Sequence, residues 1–148
     1  MNLREYVADA IHRLHTGEIS SEYGSHLIGV FGKAAQQFEE HMRHFLAQSL
    51  KASKLSYEME FWPYVAGHPP FNKLTLGQIV FCLEKLGLAS PKCLPSHMQE
   101  GDTWRILCAN IASVNRGWVE IKHGKGINKE NALTHFEMML STLDLTEA

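Results

Sequence analysis

The chain has 148 residues, of which 45% are apolar and 20% charged, too much apolar surface for a disordered chain and a length that suits one domain, residues 1–148. Lysine and arginine number 14 and aspartate and glutamate 16, a formal net charge of −2 with nine histidines counted neutral. Whole-chain charge therefore does not mark a nucleic-acid binder, and such an activity must come from a local patch.

Apolar residues recur at helical spacing almost throughout. Residues 2 to 15 read as a first helix, with Leu3, Tyr6, Val7, Ala10, Ile11 and Leu14 on one side and a break at Thr16-Gly17. A long second helix runs from about Ser21 to Lys51 on a seam of Leu27, Phe31, Ala34 or Ala35, Phe38, Met42, Phe45 and Leu50. Its three- and four-residue steps are bundle spacing. Gln36, Gln37, Glu39, Glu40, Arg43 and Gln48 make its polar face.

Residues 52 to 73 contain Pro63, Gly67, Pro69 and Pro70, which forbid a continuous helix. A loop of that length is expected to pack back in part or to form a short helix. Its aromatic residues Phe61, Trp62, Tyr64 and Phe71 can stack bases; in a proline-rich connector such residues more often plug the end of a bundle.

Thr75 suits the N-cap of a third helix with Leu76, Ile79, Val80, Leu83 and Leu86 on one face, and Gly87 is placed to end it. Residues 88 to 101 form a second connector. Asp102 caps a fourth helix with the seam Trp104, Leu107, Ile111, Val114, Trp118 and Ile121, stopped by Gly124 and Gly126. Asn128 caps a fifth, with Ala132, Leu133, Phe136, Met139, Leu140 and Leu143 apolar. The expected architecture is all-α, an antiparallel bundle of about five helices.

Cys82, Cys93 and Cys108 are an odd set without C-x-x-C spacing, which excludes a disulfide framework and an all-cysteine zinc site. Cys82 and Cys108 read as buried small hydrophobes, and Cys93 has no partner thiol. No run approaches a membrane span, and Met1-Asn2-Leu3-Arg4-Glu5 has no signal-peptide character. A reducing, cytoplasmic compartment is expected. Phosphate-binding and dinucleotide fingerprints are lacking, so no cofactor is expected. His12 with His15 and His41 with His44 share helix faces, but matching Glu-x-x-His repeats are missing and no metal is expected.

The fourth helix carries the functional information. At 100° per residue its core seam spans about −20° to 80° around Val114, while Arg105, Ala109, Ala112, Arg116, Val119 and His123 fall at about 140° to 220°. Small and apolar residues between two arginines and a histidine allow another surface to approach closely. A partner helix, such as the same helix of a second subunit, fits there beside a cleft. Arg116 and His123 lie two turns apart and point into it. A guanidinium can hold a phosphate by two parallel hydrogen bonds. A histidine in the last turn of a helix can take a ribose 2′-hydroxyl proton or protonate a leaving oxygen.

Between Trp104 and Asn131 five basic residues, Arg105, Arg116, Lys122, Lys125 and Lys129, stand against Glu120 and Glu130. That local excess suits a phosphate ligand, helped by backbone amides leading into the Asn128-capped helix. Equally, lysines at a helix C-terminus can simply complement its dipole.

The stretch Val114-Asn115-Arg116-Gly117-Trp118-Val119-Glu120-Ile121-Lys122-His123-Gly124 resembles the signature of HEPN domains, an arginine, four to six residues, then a histidine, often followed by glycine, near the end of a late helix. Phe38-Glu39-Glu40 resembles the family's Phe-Glu element. Leu74-Thr75-Leu76-Gly77-Gln78-Ile79 resembles a Leu-Gly-Gln opening of bacterial members. The resemblance covers roughly residues 20 to 145.

It implies a bundle that dimerises through the motif helices, with two Arg/His pairs facing one cleft. It also implies a metal-independent endoribonuclease, as in toxin–antitoxin pairs, anti-phage defence or CRISPR effectors. Arg116 would hold the scissile phosphate and His123 would be the acid and base. Asn115, Arg105, Lys122, Lys125 and Lys129 would bind RNA, and an antitoxin or regulatory protein is a further expected partner. Active members usually carry a polar residue directly after the arginine, whereas Gly117 stands here and Asn115 precedes. Loosening, close packing or a degraded site each account for a mid-helix glycine. The alternative reading is a non-catalytic HEPN-like module that binds a partner or serves as a regulatory subunit.

Overall fold

A computed structural model describes residues 1–19, 24–89 and 102–147. Regular structure in these residues is wholly helical. The α-helices are α1 (Leu3–Thr16), α2 (Gly24–Ser53), α3 (Tyr57–Glu60), α4 (Leu76–Ala89), α5 (Thr103–Lys122) and α6 (Lys129–Thr146). Two 3₁₀ turns lie at Trp62–Tyr64 and Phe71–Lys73. The expected start of the second helix at Ser21, and Pro91, Cys93 and Pro95 of the second connector, lie outside the described residues. Among the described residues no helix is long and apolar enough to cross a membrane.

The chain forms two compact units, one from Met1–Phe38 with Ser113–Ala148 and one from Glu39–Ala112. In the first unit α1 begins at Leu3, one residue later than expected, because Asn2 is its cap: the Asn2 side chain accepts from the Glu5 amide at 2.8 Å. Gly17 ends it in the left-handed conformation. Val7, Ala10 and Leu14 of α1 are buried, as are Leu27, Phe31, Ala34, Ala35 and Phe38 of α2 and Ala132, Phe136, Met139 and Leu143 of α6. The first turn of α1 is tied to the last turn of α6 by Arg4, whose guanidinium reaches Asp144 at 2.6 Å and Glu147 at 2.8 Å. Asn128 caps α6 by accepting from the Asn131 amide at 2.8 Å.

In the second unit the expected seams are again buried, with Met42, Phe45 and Leu50 of α2 and Leu76, Ile79, Val80, Leu83 and Leu86 of α4 at the centre. Thr75 and Gln78 form a reciprocal capping box at the start of α4. The Gln78 side chain accepts from the Thr75 amide at 2.9 Å, and Thr75 Oγ1 accepts from the Gln78 amide at 3.4 Å.

Two expectations change here. Glu39 and Arg43 are half-buried working residues, not members of a solvated face. The Glu39 carboxylate accepts the Leu76 amide at 3.1 Å, and Arg43 bonds both Glu39 at 3.1 Å and the Leu74 carbonyl at 2.8 Å. An orphan amide at the positive end of α4 thereby gains a charged acceptor.

Gly87 does not end α4, which continues to Ala89. Its missing side chain makes room for Trp104. A Cβ at Gly87 would lie 2.4 Å from the indole nitrogen, which donates to the Leu83 carbonyl at 2.9 Å. Burial pushes the Cys82 thiol up to about 11 and the Cys108 thiol up to about 12. Both are therefore unreactive near neutral pH.

Candidate functional site

The motif segment is the part of α5 that belongs to the first unit, together with the turn after it. Two side-chain contacts seat it. The Trp118 ring lies against Gly32 of α2, where an added Cβ would meet the indole at 3.1 Å. On the neighbouring side the His135 imidazole of α6 packs against Gly117, where a Cβ would lie 2.7 Å from Nε2 and 2.8 Å from Cδ2. Gly117 is buried. Of the three accounts of a mid-helix glycine, close packing is the one the structure carries. The position after Arg116 is occupied by an imidazole from another helix.

His135 is the residue that sequence reasoning missed. It stands about 40° from Met139, just beyond the apolar stripe of α6. The available signal was a histidine bordering a core stripe in a chain with an unexplained helical glycine. Its ring sits edge-on to Phe31 at 5.8 Å between centroids. Its Nδ1 is buried and has no hydrogen-bond partner among the described residues. Burial, and then the positive charge of Arg116, hold its pKa below the ordinary imidazole value, with Glu120 acting against them. A charged ring here would bury a second N–H without an acceptor.

The end of α5 is a Schellman motif. The Lys125 amide donates to the Glu120 carbonyl at 2.9 Å and the Gly124 amide to the Ile121 carbonyl at 3.0 Å. Gly124 supplies the left-handed residue, with φ of 84°. His123 is the C-cap residue, and its amide still bonds the Val119 carbonyl at 3.0 Å. Its Cα thus keeps near-helical register with Arg116, about 10 Å away along the axis. Both side chains are exposed and Asn115 is half-buried.

Arg116 differs from the other four arginines of the chain. Arg4 pairs with Asp144 and Glu147, Arg13 with Asp9 and Glu18, Arg43 with Glu39, and Arg105 with Asp102. Among the described residues no ion pair engages Arg116. Arg105 belongs to the other unit, where its 3.0 Å bond to Asp102 spans the first turn of α5 and holds that carboxyl below its usual range.

Lys122, Lys125 and Lys129 are all exposed. Lys122 lies over the Trp118 ring at 5.0 Å. Lys122 and Lys125 stand at a helix C-terminus, where the dipole accounts for them. Lys129 does not fit that account. It is the first residue of α6, at the positive end of a helix, and Glu130 beside it in the same turn supplies the answering negative charge.

Among the described residues no group of three or more His, Cys, Asp or Glu side chains is placed to hold a metal. His12, His15 and His44 are exposed. Compared with family profiles, curated proteins and solved structures, the chain matches none.

Proposed function

We propose that this protein is an HEPN-like, metal-independent endoribonuclease of the cytoplasm, a single-domain antiparallel bundle that works as a homodimer. The observation that carries the reading is Arg116, exposed beside a firmly seated helix and, among the described residues, in no ion pair. An unneutralised guanidinium on a rigid element is a ready phosphate ligand. His123, fixed as the C-cap in register with it, supplies the titratable group.

In the dimer the two motif helices face each other across one cleft. Arg116 holds the non-bridging oxygens of the scissile phosphate. His123 of one copy takes the ribose 2′-hydroxyl proton, and the 2′-oxygen attacks phosphorus. The bond to the 5′-oxygen breaks, and the protonated His123 of the second copy returns a proton to it. The products are a 2′,3′-cyclic phosphate and a 5′-hydroxyl. Asn115, Lys122, Lys125 and Lys129 contribute RNA contacts, and a toxin or anti-phage role follows from the resemblance.

A second reading, the non-catalytic partner-binding or regulatory module, has one observation in its favour. Position 117 offers no polar side chain, and an imidazole fills the space beside it.

The test is RNA cleavage by the purified full chain in excess EDTA, with Arg116→Ala and His123→Ala purified in parallel. Cleavage by wild type and its loss in both variants is the expected result. Equal cleavage by wild type and His123→Ala overturns the assignment. No cleavage by a folded dimer transfers the conclusion to the binding module.

A further inference from the structure

His135 of α6 lays one edge of its ring in the notch that Gly117 leaves in α5. Its Nε2 and Cδ2 atoms lie 2.7 Å and 2.8 Å from where a Cβ would stand. Gly117 directly follows Arg116 in the chain, and all three residues belong to one compact unit. The charged groups that face the ring are Arg116 and Glu120, both from α5 and both exposed. From α2 it meets the uncharged ring of Phe31.

Packing alone does not account for a histidine at this position. A leucine or phenylalanine would fill the same notch with no polar atom left unpaired. The imidazole instead keeps a buried Nδ1 without a hydrogen-bond partner among the described residues. An orphan of that kind in a folded protein calls for a compensating role.

The two ring nitrogens are not equivalent. Nδ1 is sealed from solvent, whereas Nε2, which also makes no hydrogen bond among the described residues, is not. A neutral imidazole carries one N–H. On Nδ1 it would be a buried donor with no acceptor, the costlier of the two orphans. The proton therefore belongs on Nε2, where the negative charge of Glu120 also favours it. Charging the ring would need a second proton on Nδ1 itself, so the group stays a donor without becoming a cation. Nε2–H is thus a single donor held by packing on the flank of the residue that carries the guanidinium. A phosphate offers several oxygens, and a guanidinium and a separate N–H can share them. A donor already positioned by its packing loses little freedom when it binds.

We propose that His135 is a second phosphate-binding residue of the site, its Nε2–H donating to an oxygen of the phosphate that Arg116 holds, an inference that rests on reading Arg116 as a phosphate ligand.

The test uses NMR of the full chain with isotope-labelled histidine. Inorganic phosphate is the probe, and chloride keeps the ionic strength constant. The nitrogen shifts of His135 are expected to show a neutral ring protonated at Nε2 near neutral pH. Phosphate should move its Nε2 resonance saturably, and Arg116→Ala should abolish that response. His135→Phe fills the notch without a donor and should bind phosphate at least about tenfold more weakly, read at the His123 resonances. A urea midpoint checks that this variant folds; if it does not, the shifts of the wild-type ring decide alone. Four results overturn the proposal: a ring protonated at Nδ1 alone, no saturable shift at His135, the same shift in Arg116→Ala, or undiminished binding by a folded His135→Phe. A response at His123 without one at His135 removes this role and leaves the nuclease reading standing. A response at His135 in a protein that cleaves no RNA keeps the role and removes the nuclease reading.

Discussion

Replacing Gly117 by alanine separates packing from propensity. In a free helix interior alanine is better than glycine by about 1 kcal/mol. At Gly117 the added Cβ would lie 2.7 Å from His135 Nε2, closer than non-bonded atoms tolerate. The imidazole cannot swing away without cost, because its other contacts are the Phe31 ring and a buried Nδ1 environment. Forced overpacking of this kind costs about 1–3 kcal/mol. Gly117→Ala is therefore expected to destabilise by about 0–2 kcal/mol, the difference of the two effects. Gly29 provides the control, since it lies within α2 with nothing within 4 Å of its added Cβ. Gly29→Ala is expected to stabilise by about 1 kcal/mol. In a His135→Ala background Gly117→Ala should behave like Gly29→Ala, a coupling of about 1–3 kcal/mol. Urea midpoints at constant m-value give these values. Equal stabilisation by Gly117→Ala and Gly29→Ala, unchanged by His135→Ala, would refute the seat assigned to the imidazole.

The lowered pKa of His135 makes stability depend on pH in one direction. The unfolded imidazole titrates near its ordinary value of about 6.5, and the folded one lower. Its contribution is thus present above that value and lost as pH falls through the folded pKa, because the unfolded chain binds the proton first. Wild type should lose more stability than His135→Gln between neutral and mildly acidic pH, and an NMR titration that puts His135 above its ordinary value would contradict this. Glu39→Ala removes the acceptor of the Leu76 amide and the partner of Arg43 and is expected to destabilise by about 1.5–3 kcal/mol, with faster amide exchange at Leu76; an unchanged urea midpoint would show that solvent replaces the carboxylate. Gly87→Ala should lower stability by about 2 kcal/mol, because its Cβ meets a hydrogen-bonded indole at 2.4 Å. Its effect should shrink in a Trp104→Phe background, and equal effects in both backgrounds would sink that account.

The helices were legible because their signals are local. Every residue of the α2 seam from Leu27 to Leu50 is buried as its spacing requires, and the caps at Thr75 and Asn128 are side-chain bonds within a single turn. What was hidden depends on residues distant in sequence. Gly87 looks like a terminator until Trp104, seventeen positions on, is known to fill its notch. Glu39 and Arg43 look solvated until the start of α4 arrives to use them. The two family-like elements, Phe38-Glu39-Glu40 and Leu74 to Ile79, turn out to be one structural joint. Their meeting is a reason to find them together that needs no chemistry of function.

The same reasoning narrows the candidate site. Gly117 is present because His135 packs on it. Trp118 is present because it fills the space left by Gly32. Gly124 is present because a Schellman turn needs a left-handed residue. Lys122 and Lys125 answer a helix dipole. For each of these parts a structural task is reason enough to be present, including the glycine after the histidine that makes the signature look specific. Arg116 and the imidazole of His123 remain. Both are exposed, two turns apart on one face of a helix anchored from two sides, and among the described residues no ion pair engages either. A guanidinium and an imidazole held there by other residues' packing are the pair on which a phosphate-directed chemistry would depend, and their joint substitution by alanine should leave the unfolding free energy within about 0.5 kcal/mol of wild type while removing RNA cleavage. A marked loss of stability in that double variant would return both residues to the structural ledger.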